Sequence, residues 1–240
     1  MFNGTCYQGG KLYYEIPVGI LCLESYFPKM RGHLRNPYTY PFPTVMYFLK
    51  GLDIPKLLFN PAKEMIQPLI DAARQLEKDG VRAITGSCGF MALFQKEIAE
   101  AVSIPVFMSS LLQLPLIRIM HGEKANIGIL TASKKALGPK HLEACHVAWD
   151  SVIVEGMEGN PEFWETVIEG KRCDFNVPKL EQEVVGTALH FIENSKLDAL
   201  LLECTDLPPF ARQIQEQSNV PVYDINSLMQ LVYSTVQWKV

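Results

Sequence analysis

Two cysteines stand in settings where a protein could put them to chemical use. They are Cys88 in T-G-S-C-G-F (85–90) and Cys204 in L-E-C-T-D-L-P-P (202–209). Each follows a short apolar run and precedes an amphipathic one. A thiolate can take a proton from a carbon next to a carboxylate or carbonyl, and a thiol on the opposite face can deliver one, so a facing pair inverts configuration. A nucleophilic role for one cysteine would call for a histidine base within reach. His33, His121, His141, His146 and His190 all fall outside the two motifs, which counts mildly against acyl transfer. Both motifs run into helix starts, Gly89-Phe90 before Met91 and Leu207-Pro208-Pro209 before Phe210. A helix N-terminus favours negative charge, which predicts a lowered thiol pKa at one or both sites.

The elements that must position these thiols alternate between short β-branched runs and longer amphipathic ones, the pattern of βα units around a parallel sheet. Strands are predicted at 18–23, 56–59, 81–85, 104–108, 126–130, 151–155, 197–203 and 220–224, with helices at 61–78, 91–102, 134–145, 178–194 and 210–217. The second half echoes the first: V-G-I-L at 18–21 returns as I-G-I-L at 127–130, and I-P-V-F at 104–107 as V-P-V-Y at 220–223. The cysteines and the prolines of the later pair share one offset, 204 − 88 = 116 and 221 − 105 = 116. The expected fold is therefore α/β with two pseudo-symmetric lobes, each a mainly parallel sheet flanked by helices, with an active-site cleft between them. Residues 1–110 and 226–240 would form the lobe carrying Cys88, and 111–225 the lobe carrying Cys204. Ligands of open α/β sheets bind outside the carboxyl ends of the strands, where both cysteines would sit.

The 240 residues are 48% hydrophobic, ample for packed cores, and the charge of 22 − 26 = −4 comes with no basic run. Nothing recommends nucleic acid or an anionic membrane as a partner. A small anionic molecule is the expected partner, and a homo-oligomer is compatible with the sequence. Residues 1–10 show no basic flank before an apolar core, and no segment has the length of a membrane span, so the expected location is cytoplasmic. The six cysteines are too dispersed for a structural metal site or a disulfide framework, and no metal or cofactor is expected. Cys6, Cys22, Cys145 and Cys173 read as small buried apolar residues.

The motifs V-G-I-L with L-E-S-Y-F-P, T-G-S-C-G-F, I-P-V-F-M-S-S-L, I-G-I-L-T-A-S and L-E-C-T-D-L-P-P together resemble the aspartate/glutamate/hydantoin racemase superfamily. The resemblance covers most of the chain. It implies a cleft between two lobes and cofactor-independent 1,1-proton transfer, with Cys88 and Cys204 as the acid/base pair. Glu24 and Ser25 fall where such racemases carry an Asp-Ser that orients a thiol. Asp206 falls at the position of a polar partner of the second cysteine. Thr131, Ser133 and Thr205 would hold a substrate carboxylate, and Ser87 and Gly89 flank the first thiol.

The sequence departs from the family where Cys-Asn-Thr is usual and Cys88-Gly89-Phe90 stands instead. Two polar side chains are missing there. Phe90 would offer an apolar wall if it points into the cleft, or else begins the core face of the next helix with Met91 and Phe94. The first alternative predicts that aspartate and glutamate are poor substrates and that the true one has a single anchored carboxylate or an amide-like ring, with an apolar or aromatic remainder. The loop 26–43, with Arg31, His33, Arg35 and four prolines, reads as a stiffened surface loop rather than a cationic lid. The leading expectation is an isomerase, a racemase or epimerase of a small acid, amino acid or hydantoin. A cysteine-dependent decarboxylase or cis–trans isomerase of small di-acids shares the fold, and a two-lobed ligand-binding protein without chemistry is the third reading.

Overall fold

A computed structural model describes residues 9–237 of the chain. Cys6 and the outer ends of the ranges 1–110 and 226–240 lie outside the described residues. The first sheet is built from β1 (Val18–Glu24), β2 (Thr44–Asp53), β3 (Ala83–Gly86) and β4 (Val106–Phe107). The second contains β5 (Ile127–Thr131), β6 (Ile153–Gly156), β7 (Ala199–Leu202) and β8 (Val222–Tyr223). All pairings are parallel, and the strand orders β2-β1-β3-β4 and β6-β5-β7-β8 are the same order repeated. The molecule is therefore α/β with two lobes of like topology.

The inner strands are buried almost throughout and mostly apolar because helices cover both faces of a parallel sheet. Val18, Ile20 and Cys22 on one face of β1 pack in one core cluster, and Leu21 and Leu23 on the other face pack in a second. The repeated glycine of V-G-I-L and I-G-I-L has a steric origin. A Cβ at Gly19 would crowd Leu76 and Val81, and one at Gly128 would overlap Leu197 and press on Phe191. Each lobe thus needs a bare backbone where its covering helix crosses the first strand.

The helices are α1 (Ile54–Phe59), α2 (Ile66–Asp79), α3 (Gln95–Ala101), α4 (Leu114–His121), α5 (Pro139–Glu143), α6 (Pro161–Phe163), α7 (Val177–Ser195), α8 (Ala211–Ser218) and α9 (Ile225–Val236). The strand expected at 56–59 is instead α1. Asp53 caps it, its carboxylate accepting the Lys56 N–H at 2.9 Å, and Pro55 sits in the first turn, so start signals overrule the short apolar run. The second strand of the first sheet is β2, ten residues long and half exposed at the sheet edge. After the second sheet the chain returns to the first. Asp224 and Ser227 form a capping box, and α9 lays Ile225, Leu228 and Met229 against Val18, Ile20 and Cys22. Among the described residues no helix is long and apolar enough to cross a membrane.

Candidate active site

Cys88 lies two residues beyond the end of β3, and Cys204 two residues beyond the end of β7. The two turns are fastened in matching ways. Ser87 N–H donates to the Leu21 carbonyl and Glu203 N–H to the Leu130 carbonyl, each at 2.9 Å, so the residue before either cysteine is tied to its own first strand. The turns also hold each other: the Thr205 hydroxyl donates to the Ser87 carbonyl at 2.7 Å, across the two lobes. Ser87 Oγ accepts the Leu23 N–H at 2.9 Å. Cys204 is almost fully buried and Cys88 partly so.

The expected acidic thiols are not found. Burial pushes both pKa values well above the ordinary thiol range, helped at Cys88 by the charge of Glu203 and at Cys204 by Asp206 and Glu203. Cys88 is followed by a six-residue 3-10 stretch, Gly89–Phe94, and Cys204 by a three-residue one, Pro208–Phe210, that starts four residues later. Neither offers an α-helical N-terminus at the sulfur, so desolvation wins over the dipole. The Phe90 N–H gives Cys88 a modest opposing pull, and the Asp206 N–H does so for Cys204.

Asp206 organises the second thiol. Cys204 Sγ donates to Asp206 Oδ2 at 3.8 Å, while Oδ1 meets His33 Nε2 at 3.1 Å and Lys29 Nζ at 3.7 Å. Burial alone would raise this carboxyl, but the Lys29 and His33 partners outweigh it and hold Asp206 below the usual carboxylate range. His33 Nδ1 accepts the Arg35 N–H at 2.9 Å, so its hydrogen is on Nε2, facing Asp206. Burial keeps His33 neutral in the neutral pH range. Burial also lowers Lys29 to about 8, and its ammonium rests 2.9 Å above the Phe27 ring centroid.

The loop 26–43 is consequently not a surface loop. It turns His33, Leu34, Tyr40 and Phe42 inward and delivers Lys29 and His33 to Asp206. Asn226 of α9 pins it, donating to the Gly32 carbonyl at 2.7 Å and accepting from the Tyr40 hydroxyl at 2.5 Å.

Other residues singled out in the sequence have internal partners. The Thr131 hydroxyl donates to Glu203 Oε2 at 2.7 Å, and Ser133 Oγ donates to Glu158 at 3.0 Å. Phe90 is buried edge-to-face against His141, the core-face alternative. Gly89 is packed directly against Glu203. Glu24 accepts the Gly51 N–H at 3.0 Å, and Ser25 accepts from Arg35 at 2.7 Å; neither is bonded to a thiol. Both instead line a 400 Å³ cavity with Phe27, Asp53 and residues 166–173 of the other lobe. Phe27 and Val167 also wall a much smaller void that reaches His33 and Asp206.

No protein-family model matches the chain. A dimethylsulfoniopropionate lyase from Durusdinium sp. clade D is 32% identical over 215 residues, covering 86% of this chain and 70% of that protein. The chain belongs to the dimethylsulfoniopropionate lyase family. Dimethylsulfoniopropionate lyase 3 of Emiliania huxleyi is 31% identical over 216 residues, again 86% of this chain, which spans only 56% of that longer relative. In three dimensions this member of the lyase family has the fold of the aspartate/glutamate/hydantoin racemase superfamily. A glutamate racemase isoform from Bacillus anthracis superposes with a TM-score of 0.56 at 16% identity, covering 92% of this chain and 82% of that one. An aspartate racemase homologue from Pyrococcus horikoshii gives 0.54 at 18%, covering 90% and 98%. Unliganded arylmalonate decarboxylase gives 0.51 at 14%, covering 86% of each chain.

Three site residues of this lyase-family chain escaped the sequence reading as participants: Lys29, His33 as a partner of Asp206, and Glu203. Glu203 is fully buried, with Oε1 unpartnered among the described residues. Burial pushes its carboxyl up to about 7 against the pull of the Thr131 hydroxyl and the Ala132 N–H. The letter E before Cys204 was the only available signal.

Proposed function

We propose that this protein is a cysteine-dependent lyase that cleaves dimethylsulfoniopropionate by removing the proton next to its carboxylate. The observation that carries the reading is the fastening of two cysteine turns against each other, Thr205 to Ser87, in a chain of the lyase family. Dimethylsulfoniopropionate has a carboxylate at one end and a sulfonium on the carbon beyond the acidic one. When a thiolate takes the α-proton, the C–H electron pair becomes the new C=C bond. The C–S bond breaks, its pair leaves on sulfur, and the products are dimethyl sulfide, acrylate and a protonated thiol.

Cys88 is the base in this scheme. Cys88 is the more exposed of the two residues, whereas Cys204 donates to Asp206, whose negative charge opposes a thiolate there. Lys29 supplies the nearest positive charge for the carboxylate, since its ammonium already senses both Asp206 and Cys204.

A racemase or epimerase is the second reading, favoured by the matched placement of the thiols on two like lobes. It shares the first step and differs in the fate of the carbanion, which the opposite thiol would reprotonate. The experiment supplies dimethylsulfoniopropionate to the purified chain and follows dimethyl sulfide in the headspace and acrylate by NMR. Parallel samples of amino acids and hydantoins in deuterated water report α-proton exchange. Stoichiometric dimethyl sulfide and acrylate are expected; exchange of an amino acid with no dimethyl sulfide would replace the lyase reading by the racemase one.

A further inference from the structure

Glu203 and Ser87 are the same position in the two lobes, 203 − 87 = 116, each directly before its cysteine. Their backbones do the same thing, but their side chains do not. Ser87 Oγ remains in its own sheet on the Leu23 N–H, whereas the Glu203 carboxyl reaches from the second lobe to the turn of the first. One oxygen, Oε2, is held by the Thr131 hydroxyl. The other, Oε1, is buried without a partner among the described residues and abuts Gly89, where any Cβ would overlap both Oε1 and the Glu203 carbonyl oxygen. Glycine at position 89 leaves room for both the backbone and the carboxyl of residue 203.

We propose that Glu203 is a positioning residue for Cys88, a carboxylic acid lodged against Gly89 whose loss of a proton suppresses the thiolate at Cys88. The inference rests on Cys88 acting as the base of the proposed lyase. A negative carboxylate beside a desolvated sulfur disfavours a second negative charge, and a neutral acid does not. The groups that face Glu203 are the Thr131 hydroxyl and Ala132 N–H from the end of β5, the Cys88 turn from the first lobe, and Cys204 with Asp206 from its own turn. Lys29 and His33 are engaged by Asp206, and Arg35 by Ser25. Burial already lifts Glu203 to about 7, so the change of charge falls in the neutral range.

The decisive variant is Glu203→Gln, which keeps size and the Thr131 contact but cannot ionise. Alkylation of Cys88 by iodoacetamide is followed by peptide mass spectrometry on the full chain across the pH range. A penalty of about one pH unit from the carboxylate predicts Cys88 in Glu203→Gln alkylated roughly tenfold faster above neutrality, with the difference vanishing below about pH 6. Superimposable profiles, or a change equal at every pH, would overturn the proposal. A second measurement covers the packing. Gly89→Ala is expected to lower the melting temperature in the parent and somewhat less in a Glu203→Ala background, which relieves the Oε1 overlap but leaves that with the carbonyl oxygen, and fully additive losses would count against it. Neither readout needs turnover, so absence of dimethyl sulfide would sink the lyase reading alone.

Discussion

A thiol that must be desolvated to work is a poor acid, and this governs the site residue by residue. Both cysteines are pushed upward by burial, so the reactive thiolate becomes more abundant as pH rises. Lys29, lowered to about 8, loses its positive charge over the same interval, and in the proposed lyase its hold on the substrate carboxylate would go with it. Turnover should therefore climb through about pH 9 while KM begins to rise above about pH 8. Steady-state kinetics across the range checks this, and a kcat level from neutral pH upward would contradict it. Cys88→Ala should cost roughly a thousandfold in turnover, the scale of a general base. Cys204→Ala should cost about tenfold to a hundredfold, since it leaves Asp206 without its thiol donor but spares the base. Equal losses in the two variants would point back to a two-base racemase. The cysteines were legible in the sequence because each closes a repeated strand at one offset. Lys29 and His33 were not legible as partners of Asp206, because they lie more than 170 positions upstream and only tertiary packing brings them there.

Among the elements, the loop 26–43 decides whether Asp206 has its Lys29 and His33 partners, and α9 decides where the loop lies. Asn226 makes both fastening bonds, to the Gly32 carbonyl and the Tyr40 hydroxyl. Asn226→Ala should strip these and cost about 1–3 kcal/mol of stability. Limited proteolysis within 26–43 should accelerate, and KM should rise more than kcat falls, because Lys29 and His33 lose their register over Asp206. A variant with parental proteolysis and KM would show that the loop is held by its apolar residues instead. The inner strands could be read from sequence because a parallel strand covered on both faces is a nearly unbroken apolar run, as in V-G-I-L-C-L. The edge strand β2 could not. It carries an apolar run, V-M-Y-F-L at 45–49, but that run follows a proline-rich loop whose inward-facing Leu34, Tyr40 and Phe42 are spaced by no regular period, and nothing in it marks the strand's start. The short run Lys56–Phe59 imitates a strand in its apolar content, but the Asp53 cap and Pro55 start a helix there.

For the whole molecule, the buried carboxyls link stability to pH in opposite directions. Glu203 is raised in the folded state from 4.5 to about 7, so the chain binds its proton more tightly folded than unfolded. Its contribution is fully present below about pH 4.5 and is lost as pH rises through about 7, a swing on the order of 3 kcal/mol. Asp206 is depressed, so its contribution is present above the unfolded carboxylate range and is lost only on acidification. The melting temperature should therefore fall between about pH 5 and 8 in the parent and fall less in Glu203→Gln, as measured by calorimetry in buffers of matched ionic strength. Parallel slopes in parent and variant would place the titrating group elsewhere.

The return of α9 to the first sheet carries a cost in time. Met229 packs against a strand that begins 229 − 18 = 211 positions earlier, with the entire second sheet intervening. On a ribosome the first strands emerge long before the helix that must cover them, so the Val18, Ile20 and Cys22 face waits open while the second lobe is synthesised. Long-range closure of this kind is slow, and the nascent first lobe is the stage at which a holding chaperone would find apolar surface to grip.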